Sequence, residues 1–338
     1  MKISMITIGS TGDVRPYILL GRELKKRGYD ISICAFMNFE DLAKKEGFGF
    51  IPIKRDVEEY MYNILSNNIG GIDYVNNMKK ELKLLAPLLL EAVDKAVQEA
   101  DLVISTYFGS FSRRIAEKYN KLYVQTHFFP MDINDVSPIA AAKGFALGKS
   151  YYHFTYKLGY IVINMLERFF TSKVADDYEI EPNEIKSEPI YTINGKKFPV
   201  IYAMSRYVLP PYSEWDDNIH VTGYFFDKED NNYTPSKELV EFLNSGDEPI
   251  YIGFGSMVSD KVEKYLSITL EAVSRLNIRV VLSQGWKDFV APENENIFTI
   301  GSIPHDYIFR HVKAVVHHGG AGTFAAGLKY GRPTYIVP

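Results

Sequence analysis

Cysteine is almost missing from this 338-residue chain: Cys34 is the only one. A lone thiol cannot close an intramolecular disulfide or anchor a cysteine-based metal cluster. That excludes a disulfide-stapled scaffold and points to a reducing compartment, so a cytoplasmic location is expected. Positive charge is not in excess either. The 38 Lys and Arg residues are outnumbered by 42 Asp and Glu, a net charge of −4, so nothing electrostatic favours a nucleic-acid partner. Long apolar runs are absent; Leu158 to Leu166 is bracketed by Lys157, Glu167 and Arg168 and is too short to span a bilayer. The opening stretch from Met1 to Ile8 is too short and too β-like for a signal peptide. No Asp-x-Asp metal motif stands out, no short-period repeat is visible, and no complete Gly-x-Gly-x-x-Gly occupies the first turn, which counts against a dinucleotide-binding enzyme.

What is present is ordinary globular composition, 46% hydrophobic and 24% charged, with length enough for two domains. The most informative stretch lies near the end. Ala314-Val315-Val316-His317 is an apolar, β-branched run that reads as a buried strand. It passes through His318-Gly319-Gly320-Ala321-Gly322-Thr323 into a short helix over 324–330, which Gly331 stops. A glycine-rich turn between a strand and a helix N-terminus gathers unpaired amides and a positive dipole end at one spot, where a phosphate fits.

In chain order, the pattern predicts a strand over 2–8, a polar turn Gly9-Ser10-Thr11-Gly12-Asp13-Val14-Arg15, and a helix opening at Pro16. Strands follow at 30–35 and 48–53, with a short helix over 40–46 between them; residues 56–77 resist assignment. A helix over 78–100 should kink or restart at Pro87. A strand over 101–106, a helix over 111–119 and a strand over 121–126 follow. His127-Phe128-Phe129-Pro130 then leaves the sheet at the edge that lines ligand crevices in such folds. One or two aromatic-rich helices over 139–175 and a strand over 199–204 complete this half. After turn-rich segments at 210–217 and 227–236, strands and helices alternate again. The expected architecture is α/β: two Rossmann-like, doubly wound domains facing a cleft, residues 1–222 and 223–338. A parallel sheet is normally covered on both faces, and the chain stops at the strand 334–338, so the second domain is expected to be C-terminally truncated.

The turn Gly9 to Pro16 has two readings from the residues alone. If Pro16 is the first helical residue, Arg15 is the N-cap and Asp13 is free to act as a general base; alternatively Asp13 caps the helix or closes the turn. Ser10, Thr11 and Gly12 could contact a phosphate or an acceptor. Because the His-His doublet alternates across its strand, at most one of the two rings should face a ligand.

These two stretches, His317-His318-Gly319-Gly320-Ala321-Gly322-Thr323 and the Gly-x-x-Gly-Asp-x-x-Pro turn, resemble the signatures of GT-B UDP-glycosyltransferases of the family 1 type. The similarity is greatest to bacterial and fungal sterol glucosyltransferases and to glycopeptide and macrolide antibiotic glycosyltransferases. Ser205, Pro210, Trp215-Asp216 and His220-Val221-Thr222-Gly223-Tyr224 resemble the family's run into its interdomain linker, and Gln284-Gly285-Trp286 its Gly-Trp after a strand. The resemblance implies inverting transfer of a hexose, glucose foremost, from a UDP-sugar to a hydroxyl of a small lipophilic acceptor. It implies Asp13 as catalytic base, and Ser256, His317, His318, Gly319, Gly320, Ala321, Gly322 and Thr323 around the donor phosphates, with His317 rather than His318 as the phosphate donor. Within Ser302-Ile303-Pro304-His305-Asp306, the Ile303 backbone would read the uracil; His305 and Asp306 would shape the loop. UDP-sugar is then a co-substrate and no cofactor or metal is expected. Peripheral membrane contact is compatible with such an acceptor, and oligomeric state is unspecified. The sequence departs from the family in having Arg15 where Gln usually precedes Pro, and in stopping before the Asp-Gln pair that holds the donor sugar. A non-catalytic nucleotide-sugar-binding or helper protein on the same fold is the alternative.

Overall fold

The computed structural model describes residues 1–65, 72–139, 142, 147–172, 186–226, 233–253, 261–284, 294–301 and 303–337. The chain divides into two compact units, Met1–Val57 with Lys79–Phe226 and Glu58–Met78 with Asp227–Pro338.

The first stretch of chain builds β1 (Lys2–Ile6), α1 (Thr11–Lys26), β2 (Asp30–Phe36), α2 (Glu40–Lys45), β3 (Gly49–Ile53), α3 (Val57–Leu65), α4 (Ile72–Gln98), β4 (Leu102–Thr106), α5 (Ser112–Lys118), β5 (Leu122–His127) and α6 (Lys149–Ser172). A hairpin of β6 (Thr192–Ile193) and β7 (Lys196–Lys197) follows, then β8 (Val200–Tyr202) and β9 (Ile219–Val221). Seven strands pair in the order β3-β2-β1-β4-β5-β8-β9, every pair parallel. The central strands are apolar along nearly their whole length because both faces are covered: Ile3, Met5, Ile6, Val103 and Ile104 are all buried.

Three expectations change here. The first helix starts at Thr11, not Pro16. Pro16 therefore lies inside α1 and costs only the bond to the carbonyl of exposed Gly12, which water can satisfy. Helix α4 runs through Pro87 because that residue is on the solvent side, while Leu85, Ala86, Leu89 and Leu90 hold the opposite side in the core. The hairpin and β9 were not anticipated; Asn194 and Gly195, at φ of 48° and 72°, form the two-residue turn joining β6 to β7.

The second unit contains α7 (Lys237–Asn244), β10 (Ile250–Gly253), α8 (Lys261–Leu276), β11 (Val280–Ser283), β12 (Ile297–Ile300), α9 (His305–Ile308), β13 (Ala314–His317), α10 (Ala321–Lys329) and β14 (Thr334–Ile336). Ser236 caps α7 by accepting the Leu239 N–H at 3.2 Å. The sheet order is β12-β11-β10-β13-β14, again all parallel. Both sheets reverse direction of growth beside their first strand, between β1 and β4 and between β10 and β13. In open α/β sheets ligands bind at that switch point, outside the C-terminal strand ends.

Candidate functional site

In the second unit, register places the glycine-rich turn at the switch point. Gly253, the last residue of β10, pairs with His317, the last residue of β13, so the two strands end side by side at the same edge. Phe324 N–H makes the first helical bond of α10, to Gly320 O at 3.0 Å, so the amides of Ala321, Gly322 and Thr323 precede the bonded ladder. The N-cap is Gly320, and no acidic side chain sits in the first turn to compete for those amides. Gly319 adopts φ +94°, and a Cβ on Gly320 would stand 2.6 Å from His318 Nε2. The turn thus needs glycine at 319 for its backbone conformation, and a side chain at 320 would displace the His318 ring.

The two histidines sit differently about the turn. His317 continues the inward face of β13 beside Val315 and has no exposed surface. Its Nδ1 accepts the Gly319 N–H at 3.0 Å, which holds the turn closed. Burial, then the neighbouring His318, push its pKa down to about 4, so the ring is neutral. His317 Nε2 is buried without a hydrogen-bond partner, so the ring keeps one donor unused beside the turn. His318 is half-buried at the mouth of the turn, edge-on to His317 and against Gly320, and burial lowers its pKa too, with a backbone contact at Gly253 opposing. Of the two rings, His318 is the more exposed.

In the first unit, the turn after β1 carries Asp13. It is the third helical residue of α1, and its Oδ2 accepts the Ser10 N–H at 2.9 Å, the reciprocal half of a capping box. The N-cap is Ser10, not Arg15, so the helix-capping reading of Asp13 is realised. Capping does not exhaust the residue. Burial pushes its pKa up to about 6, against the opposing hydrogen bonds from Ser10. A Cβ on Gly9 would fall 2.1 Å from Asp13 Oδ2, so glycine is what lets the carboxylate lie back over the strand end. Tyr17, one turn on, is buried and bonds Thr126 Oγ1 on β5, fixing α1 to the sheet. Thr11 opens the helix partly buried and Gly12 is exposed at its tip.

The remaining expected residues separate. Ser256, Trp286 and Ser302 lie outside the described residues. Ile303 packs on the core cluster formed around Val281, Phe309 and Val315. His305 stacks on Phe309 at 4.7 Å, and Asp306 accepts from Lys329 Nζ at 3.1 Å, so both shape the loop.

One constellation escaped the sequence. Asp132, wholly buried, accepts hydrogen bonds from Tyr160, Tyr191 and Tyr202 at 2.7–3.1 Å. Beside it His127, expected at a ligand crevice, is buried among Tyr107, Tyr191 and Tyr202, and burial drives its pKa down to about 3. The three tyrosines are 31 and 11 residues apart along the chain, so no local spacing announces them. Among the described residues no group of three or more His, Cys, Asp or Glu could hold a metal ion.

Residues 3–138 match the glycosyltransferase family 28 N-terminal domain. The whole chain is similar to the sterol 3-beta-glucosyltransferases of Candida albicans, 31% identical over 352 residues, and of Pichia angusta, 30% identical over 349. It spans 23% and 28% of the length of those relatives. Among solved structures it is similar to the calicheamicin glycosyltransferase CalG4, with a TM-score of 0.69 at 17% identity, covering all of this chain and 79% of that one. It is also similar to the glycosyltransferase VinC in complex with dTDP, with a TM-score of 0.61 at 15% identity, covering all of this chain and 81% of that one. The fold is the α/β GT-B fold of these glycosyltransferases.

Proposed function

We propose that this chain, a GT-B homologue of sterol 3-beta-glucosyltransferases, transfers a hexose, glucose foremost, from a UDP-sugar to a hydroxyl of a lipophilic acceptor such as a sterol. The observation that carries the proposal is Asp13: a desolvated carboxylate with a pKa near 6, held by its own helix end at the switch point of the first sheet. A carboxylate so placed is ionised at neutral pH yet basic enough to accept a hydroxyl proton in the transition state.

In this mechanism Asp13 takes the acceptor proton as the oxygen attacks the anomeric carbon. The new C–O bond forms as the bond to the diphosphate breaks, so configuration inverts and UDP departs with the electron pair. His318 and the amides of Ala321, Gly322 and Thr323 neutralise the growing charge on the diphosphate, a task a preorganised helix end performs without a metal ion or resident cofactor. The neighbour solved with dTDP supports a nucleoside diphosphate as the ligand. The names of the curated relatives support glucose and a sterol.

The test follows sugar transfer from UDP-glucose to a detergent-dispersed sterol alongside UDP affinity. Transfer by the wild type, lost in Asp13→Asn at unchanged UDP affinity, is the expected result. UDP binding without transfer to any hydroxylated lipid would favour the non-catalytic alternative.

A further inference from the structure

Helix α6 turns an apolar stripe outward. Phe154, Leu158, Val162 and Met165 recur at intervals of four, four and three residues, the spacing of one helical face. They are 63%, 51%, 49% and 53% exposed. The opposite face is accounted for: Thr155, Tyr156, Tyr160, Asn164 and Glu167 are buried. Isolated surface leucines need no explanation, but four large apolar side chains in line along three turns do.

The charge around the stripe narrows what could cover it. Lys157 and Arg168 lie on the same outward face and are exposed. The only carboxylate on α6 is Glu167, which is buried toward Ser110 and Arg113. Asp135, near the start of the helix, is already paired with Lys149 at 2.6 Å and His153 at 3.0 Å, which holds its pKa down. An outward face that is apolar and cationic, with no acid on it, complements a surface that is apolar beneath and anionic at its rim. Among the described residues no helix is long and apolar enough to cross a membrane. A 24-residue helix with this face can instead lie in the plane of one.

We infer that the outward stripe of α6 is a docking surface for an anionic lipid bilayer, with Phe154, Leu158, Val162 and Met165 entering the acyl boundary and Lys157 meeting the headgroups. None of these residues belongs to the transfer machinery, and binding is read without donor or acceptor, so it stands or falls separately from the transferase proposal.

The experiment is vesicle flotation with phosphatidylcholine vesicles, alone or mixed with phosphatidylserine, both free of sterol. The wild type should float with the anionic vesicles, more weakly with the neutral ones, and less as salt is raised. Leu158→Ser with Met165→Ser should cut binding at least ~10-fold, and Lys157→Glu should cut it about fivefold on anionic vesicles alone. All three positions are exposed, so circular dichroism and thermal melting should not change. Failure of the wild type to float, or equal flotation of the serine variant, would overturn the inference. So would a wild type that self-associates without lipid through this face, made monomeric by the same serine variant.

Discussion

Asp13 serves two demands that pull on its charge in opposite directions. Its bond from Ser10 favours the carboxylate; its burial favours the acid, and burial prevails, with a folded pKa near 6 against 3.8 for the free side chain. A folded pKa above the unfolded one means the associated stability is complete below about pH 4 and is lost as pH rises through 6. At pH 7 the ionised group therefore burdens the fold. Asp13→Asn should raise the unfolding free energy at pH 7 by on the order of 1 kcal/mol after allowance for solvent screening, with the gain vanishing below about pH 4. Urea unfolding at the two pH values checks this. The same substitution should lower transfer by at least ~100-fold, and wild-type transfer should decline as pH falls through 6. A gain in stability together with a loss of rate would mark a site kept strained for function. The histidines give a second test. His318→Ala should weaken UDP binding by about 1.5–3 kcal/mol, while His317→Ala should mainly lower stability, since it loses the Gly319 bond inside the core. Calorimetry showing the larger loss of UDP affinity in His317→Ala, with folding intact, would reverse the assignment.

At the scale of elements, what sequence could show depended on how local the cause was. The turn at 317–323 was readable because its glycines, the strand before it and the helix after it are contiguous. Pro16 misled because proline at the first helical position is a strong rule. Here a capping box that begins six residues upstream sets the start, and the Ser10 and Asp13 that form it were visible at capping-box spacing. The Asn194-Gly195 hairpin was equally legible from its dipeptide. His317 and His318 could not be told apart from spacing alone, because their burial rests on which face of β13 is covered. The Asp132 cluster was beyond reach, since its partners come from α6, the approach to β6, and β8. One carboxylate thereby ties three elements to the loop after β5. Trp215 adds to the same knot, stacked on Tyr202 at 5.4 Å with its Nε1–H donating to Ile133 O at 2.7 Å. Asp132→Ala should cost about 3 kcal/mol by stranding buried tyrosine hydroxyls. Trp215 fluorescence during urea unfolding, in a Trp286→Phe background, would report it; a loss under 1 kcal/mol would show the knot to be ornamental to stability.

Across the whole molecule, two sheets with the same inner order, third-second-first-fourth-fifth, each place one of the two glycine-bearing turns at the switch point. The proposed chemistry is divided by unit: proton removal by Asp13 in the first, leaving-group stabilisation by the helix end in the second. That division makes the two halves separable by mutation. The most direct measurement follows glucose transfer from UDP-glucose to a sterol by the gene product as the cell makes it, as wild type, Asp13→Asn and His318→Ala, with UDP affinity recorded for each. The mechanism predicts that Asp13→Asn binds UDP like the wild type but transfers at least ~100-fold more slowly, whereas His318→Ala loses affinity for UDP. Wild-type transfer rates in Asp13→Asn would contradict it.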